Sequence, residues 1–277
     1  GPGEIYRSMF QLAAGSLARI DTGNRQKGNL LHQLCENLFT TDPVDWRSAG
    51  DAALDGWVRE NFETLLRLEG ANYFLSGQTA AREELMDVAV RAVVRLVHHL
   101  RAAGVVTVQM EAPVKDLFAS GELTGSIDML LAKANGEEAV LDLKWGGGKY
   151  RRDELVKNKA LQLTIYAYMR RQAGKWPARG FFILSESRLL AQDADFFPDA
   201  EVCSPSLDVD PGGSLWQEFN KTWQWRRAQL DQGLVELTVT GTEADANSKP
   251  PDGALPIDEV NDGFNDFAVL TGWKEGA

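Results

Sequence analysis

The chain has 277 residues, 44% hydrophobic and 25% charged, a globular mix that suits one large domain or one domain with appendages. No stretch approaches the ~20 consecutive apolar residues of a membrane helix, so no membrane role is expected. The two cysteines, Cys35 and Cys203, exclude a disulfide framework, a paired-cysteine metal motif and a four-cysteine iron–sulfur cluster, and they suit a reducing, cytoplasmic setting.

Gly1-Pro2-Gly3 reads as the remnant of a cleaved tag, so the natural N-terminus is expected to be missing. Residues 4–20 have a helical pattern, with Ile5, Met9, Phe10, Leu12 and Leu17 as apolar positions. A second helix is predicted over 28–39, from Leu30, Leu31, Leu34 and Leu38, and Thr41-Asp42-Pro43 breaks it. Residues 46–69 and 79–103 predict two amphipathic helices, the latter ended by Gly104.

The texture then becomes strand-like. Strands are predicted at 105–110, 123–131 and 139–145, with Asn135-Gly136 as the turn between the last two. Gly146-Gly147-Gly148 reads as a flexible break. A helix over 153–173, a buried strand over 180–184 and a helix over 214–232 follow. Helices, a three-strand meander, a crossover helix and another strand predict an α/β fold: a mixed central sheet flanked by helices, with a helical N-terminal part. The expected domain covers 4–240. Residues 241–277 read as an acidic linker and tail, with an apolar patch of Phe264, Phe267, Val269, Leu270 and Trp273. That tail holds eight acids against two lysines, six of the eleven net negative charges.

Two carboxylates stand out because they sit in apolar strands, Asp128 in Ile127-Asp128-Met129-Leu130 and Asp142 in Leu141-Asp142-Leu143. Burying an ionised carboxylate is costly unless it is compensated. Strand alternation puts Lys144 on the same face as Asp142. That face could bind a divalent metal and lay an ammonium beside a metal-bound water or phosphate, with the Leu143 carbonyl as a further ligand. Alone, the Asp-x-Lys triplet is a weak signal, since a solvated edge strand would also show it.

The wider pattern is specific. Gly28-Asn29-Leu30-Leu31-His32, Gly125-Ser126-Ile127-Asp128, Leu141-Asp142-Leu143-Lys144 and Gln162-Leu163-Thr164-Ile165-Tyr166 occur in that order. The set resembles the RecB-like branch of the PD-(D/E)xK nucleases, with its G-x-x-x-H helix, G-x-I/V-D strand, D/E-x-K strand and Q-x-x-x-Y helix. The resemblance implies a restriction-endonuclease-like core and a DNA nuclease using one or two Mg²⁺ or Mn²⁺ ions. It implies that His32, Asp128 and Asp142 bind metal, that Lys144 is the catalytic lysine, and that Gln162 and Tyr166 buttress the site and contact the strand. It further implies DNA repair, recombination or phage defence, with a helicase or other protein partner, or a domain ahead of Gly1.

Glu36, one turn beyond His32, and Glu111, ahead of the Gly125 strand, are further candidate ligands. Lys149, Arg151, Arg152, Lys157 and Lys159 form the best basic cluster, suited to single- or double-stranded DNA phosphates. His98-His99 reads as a surface cap, and Trp223 with Trp225 as core more readily than as base-stacking rings. The acidic balance favours an alternative, a catalytically weak nuclease-fold module that binds DNA or scaffolds a complex. A metal-dependent RNase or nucleotide phosphodiesterase would share the site.

Overall fold

The computed structural model describes residues 23–41, 43–118, 121–172, 174–205, 211–234 and 249–256. The helix expected at 4–20 and the apolar patch at 264–273 lie outside them, as does most of the linker. Three helices come first: α1 (Asn24–Thr41), α2 (Asp51–Glu69) and α3 (Thr79–Ala102). The first begins four residues earlier than its apolar spacing indicates. The second begins at Asp51, because Trp46 sits in a preceding turn built on Asp45.

Strands β1 (Val105–Phe118), β2 (Gly121–Lys133) and β3 (Glu138–Lys144) form the expected antiparallel meander. The first two are longer than predicted. Beyond Met110, β1 interleaves Glu111, Pro113, Lys115 and Asp116 with its buried positions, so an apolar run alone stops early. Next come α4 (Gly148–Val156), α5 (Leu161–Arg170), β4 (Ala178–Ile183), β5 (Arg188–Ala191), β6 (Glu201–Val202) and α6 (Pro211–Asp231).

Two expectations need correction. The glycine run is no open break: Gly147 adopts φ 81° and caps α4, which starts at Gly148. The single helix predicted over 153–173 is two helices. Asn158 separates them with φ 52°, a left-handed conformation that asparagine tolerates better than most residues. Its Nδ2 donates to the Pro211 carbonyl at 2.9 Å, which holds the corner. Strands β5 and β6 escape prediction because four and two residues are too short to show a period.

The sheet order is β1-β2-β3-β4-β5-β6. β3 and β4 run parallel, as do β5 and β6, while the other pairs are antiparallel. The sheet is therefore mixed, as expected. Alternation on β3 sends Ala139, Leu141 and Leu143 into one apolar cluster, with α1, α2 and α3, and Val140 into another, with Leu155 and Leu163. Helices thus cover both faces.

This body runs from Ile20 to Leu215. From Trp216 the chain belongs to a second compact unit. There the Trp216 and Phe219 rings lie 5.3 Å apart, centroid to centroid. Trp223 and Trp225 are half-buried on α6. Both cysteines are free and buried, and burial pushes the Cys35 thiol up to about 12.

Candidate active site

The site is built at a fork in the sheet. β2 and β3 pair from Ala132↔Glu138 to Met129↔Leu141 and no further. One more step would set Asp128 opposite Asp142. Instead, Asp128 bends toward β3, and its Oδ2 accepts a hydrogen bond from the Leu143 amide at 2.8 Å. A side chain takes the place of the missing ladder bond, so the amide is not left unsatisfied.

The β1–β2 ladder is interrupted on the same row. It pairs Met110↔Met129 and Ala112↔Ile127 but skips Glu111 and Asp128. Glu111 has φ 46°, a conformation rare outside glycine and concentrated at functional sites. It has a visible effect. Met110 and Met129 belong to the cluster under α1–α3, whereas Ala112 and Ile127 belong to the other. Regular alternation would keep positions two apart on one face. Both strands therefore change faces at Glu111 and Asp128. Glu111, Asp128 and Asp142 form one row across three strands.

His32 reaches this row from α1. Its Nε2 lies 3.0 Å from Glu111 Oε1 and 3.7 Å from Asp128 Oδ1. The three residues can present ligand atoms all within 4.8 Å of one another. Asp128 is the largest influence raising the imidazole pKa, opposed by burial and aided by the charges of Glu111 and Glu36. At 3.7 Å that contact is an ion pair rather than a direct hydrogen bond. α1 passes close to the end of β3 at Gly28, where an added Cβ would sit 3.4 Å from Trp145 Cβ. The Trp145 indole also donates to Asn24 Oδ1 at 3.0 Å. One turn before His32, α1 thus lies against the residue that follows Lys144.

Asp142 is 2% exposed. Burial, then the charge of Asp128, pushes its carboxyl up to about 6, against the pull of Lys144 and Arg151. Lys144 Nζ lies 2.8 Å from Asp142 Oδ2. That is ion-pair distance, but off the line of a good hydrogen bond, and neither buried Asp142 oxygen has a hydrogen-bond partner among the described residues.

Gln162 and Tyr166 share one face of α5, and Gln162 Nε2 donates to the Tyr166 hydroxyl at 3.4 Å. A Cβ on Gly125 would fall 2.6 Å from Tyr166 Cε1. The tyrosine ring therefore lies directly on the β2 backbone three residues before Asp128, a buttress that only glycine admits. Ser126 Oγ donates to Glu111 Oε2 at 2.6 Å. This positioning role of Ser126 went unseen in the sequence. Its signal was the place of Ser126, two residues before Asp128.

The remaining candidates separate. Glu36 influences His32 by charge but does not join the ligand cluster. Lys149, Lys157 and Lys159 are exposed on and just after α4. Arg152 is tied to Glu201, 3.3 Å away, and Arg151 to Glu154, 2.6 Å away. His98 pairs with Asp51 at 2.7 Å. His99 is not a surface cap: it is buried with its ring 6.3 Å from that of Phe182, and burial holds its pKa down to about 4. A cavity of about 580 Å³, lined by Glu138, Trp176 and Gln192 among others, opens at the other end of β3, away from this row.

Two carboxylates and an imidazole at ligand spacing, beside a third, buried carboxylate that Lys144 contacts without a well-aligned hydrogen bond, fit a hard divalent cation. Sequence comparison agrees with the geometry. The model of the PD-(D/E)XK nuclease superfamily matches residues 7–238, and the chain belongs to that superfamily. No curated protein matches the chain.

Proposed function

We propose that this chain is a divalent-metal-dependent deoxyribonuclease of the RecB-like type, hydrolysing DNA phosphodiester bonds. The observation that carries the reading is the buried Asp142, its oxygens unsatisfied, with Lys144 beside it and His32, Glu111 and Asp128 along the same row. A buried carboxylate whose one ion-pair partner among the described residues is a lysine is costly, and a scaffold has no use for one.

In this reading His32, Glu111, Asp128 and Asp142 hold Mg²⁺ or Mn²⁺, with the Leu143 carbonyl as a further oxygen donor. One or two such ions, bound there, would supply a water activated at neutral pH and a positive charge to offset that of the phosphate. Leu143 fixes the rotamer of Asp128 through its amide, and Ser126 fixes that of Glu111. Lys144 Nζ, held near Asp142, places a positive charge beside the attacking water. Gln162 and Tyr166 hold the β2 backbone and face the strand. Lys149, Lys157 and Lys159, with Arg152, supply a local basic strip that lets an acidic chain hold DNA phosphates. The net charge of −11 fits a protein that works with a helicase or similar partner in repair, recombination or phage defence. No described helix is long and apolar enough to cross a membrane.

The test is cleavage of single- and double-stranded DNA and of RNA, with Mn²⁺ and with EDTA, by wild type, Asp142→Ala and Lys144→Ala. Metal-dependent DNA cleavage by wild type alone supports the reading. Equal behaviour of all three proteins refutes the site, and preference for RNA refutes the substrate.

A further inference from the structure

Arg151 differs from its basic neighbours. It lies on α4, and its guanidinium stands 5.3 Å from the Phe181 ring centroid and 5.0 Å from that of Tyr150. Phe181 is the β4 residue in register with Asp142, and residues paired across neighbouring strands project from the same face. The Arg151 guanidinium is therefore on the Asp142 side of the sheet, and its charge is felt there. One nitrogen, Nη1, is held by Glu154. Its other N–H groups have no partner among the described residues. By contrast, Lys149 and Lys157 are exposed and Arg152 is held by Glu201.

We propose that Arg151 is a catalytic residue of this site. It donates to a non-bridging oxygen of the scissile phosphate and stabilises the charge that develops there as the attacking oxygen adds and the leaving oxygen departs. The inference rests on the nuclease reading above. A guanidinium presents a planar fork of donors that matches a phosphate, which an ammonium does not. Two flanking rings and Glu154 limit its motion, so little reorganisation is needed when the charge forms. The lysines of the strip act earlier, in holding the strand.

The experiment is steady-state cleavage of an oligonucleotide at saturating Mn²⁺ by wild type, Arg151→Ala, Arg151→Lys, Lys149→Ala and Lys157→Ala. Thermal shifts with Mn²⁺ are read on each protein. Losing one such donor lowers kcat by about 10²–10³-fold, with KM and the Mn²⁺ shift nearly unchanged. Guanidinium ion added to Arg151→Ala restores part of kcat, and Arg151→Lys stays well below wild type. Lys149→Ala and Lys157→Ala instead raise KM and flatten its salt dependence. If Arg151→Ala weakens the Mn²⁺ shift but reaches wild-type kcat once Mn²⁺ saturates, Arg151 is only a counter-charge to Asp142 and the proposal fails. It also fails if Arg151→Ala changes KM alone, like the lysine variants, or if guanidinium restores nothing to a folded Arg151→Ala. Absence of turnover in wild type overturns the nuclease reading, and this inference with it.

Discussion

The Leu143 amide donates to Asp128 Oδ2 at 2.8 Å, so the strand that bears Asp142 also orients the carboxylate across the fork from it. Asp128→Asn keeps an oxygen able to accept that bond, whereas Asp128→Leu leaves a buried amide without one. An unsatisfied buried donor costs about 1–3 kcal/mol. Urea unfolding of the metal-free proteins should place Asp128→Leu below Asp128→Asn by that amount, while both lose cleavage. Equal stabilities would mean that the bond does not support the fold.

Asp142 makes the metal-free protein sensitive to pH. Its carboxyl titrates at about 6 in the fold against an ordinary value of 3.8. Between those values the folded state binds more protons than the unfolded state, so stability falls as pH rises through the window and levels off above it. Asp142→Asn removes this loss. It is expected to be inactive yet more stable than wild type at pH 7, by up to about 3 kcal/mol, with the gain disappearing below pH 4. Added Mn²⁺ should raise the melting temperature of wild type at pH 7 and leave that of the variant nearly unmoved. Melting curves across pH, with and without metal, measure both effects.

His99 works in the opposite sense. Burial lowers its pKa from 6.5 to about 4. The unfolded chain takes up the proton first, so stability is complete above about 6.5 and is lost as pH falls toward 4, by as much as about 3 kcal/mol. His99→Leu is expected to flatten that part of the profile. A variant profile parallel to wild type between pH 4 and 6.5 would rule His99 out as the cause.

Ser126 touches no candidate metal position itself but holds Glu111. Residues that orient ligands typically carry about 10–100-fold of metal affinity. Ser126→Ala should shift the Mn²⁺ midpoint for activity by that factor, while kcat at saturating Mn²⁺ stays near wild type. A Mn²⁺ titration reads it, and an unchanged midpoint would remove Ser126 from the site.

Gly125→Ala would drive a methyl group to 2.6 Å from the Tyr166 ring. Such overpacking costs about 1–3 kcal/mol. The double variant Gly125→Ala with Tyr166→Ala should be less destabilised than the sum of the singles, as measured by urea unfolding. Strict additivity would show that ring and glycine are not in contact.

Much of the fold was legible because its signals are local. The leucines of α1 and the long apolar face of α3 show helical spacing, and Asn135-Gly136 marks the β2–β3 turn. The ordered motifs brought Asp128, Asp142, Lys144, Gln162 and Tyr166 to notice before any coordinate did. What stayed hidden depends on neighbours distant in sequence. Nothing around Glu111 announces φ 46°, since that backbone goes with a face change in both strands and with side-chain contacts to His32 and Ser126. His99 looks like any histidine near a helix end until Phe182 is seen beside it. The corner at Asn158 depends on Pro211, fifty-three residues away.

The change of faces at Glu111 and Asp128 places the candidate metal row on the seam between two separately packed interiors. His32 comes from the helices of one, and the residues that follow Glu111 and precede Asp128 belong to the other. The ligand spacing is therefore a sum of two independent tolerances. Loosening either interior would displace part of the candidate ligand set relative to the rest. In the proposed reading, metal affinity would then act as a coincidence detector for folding, sensitive to both interiors at once.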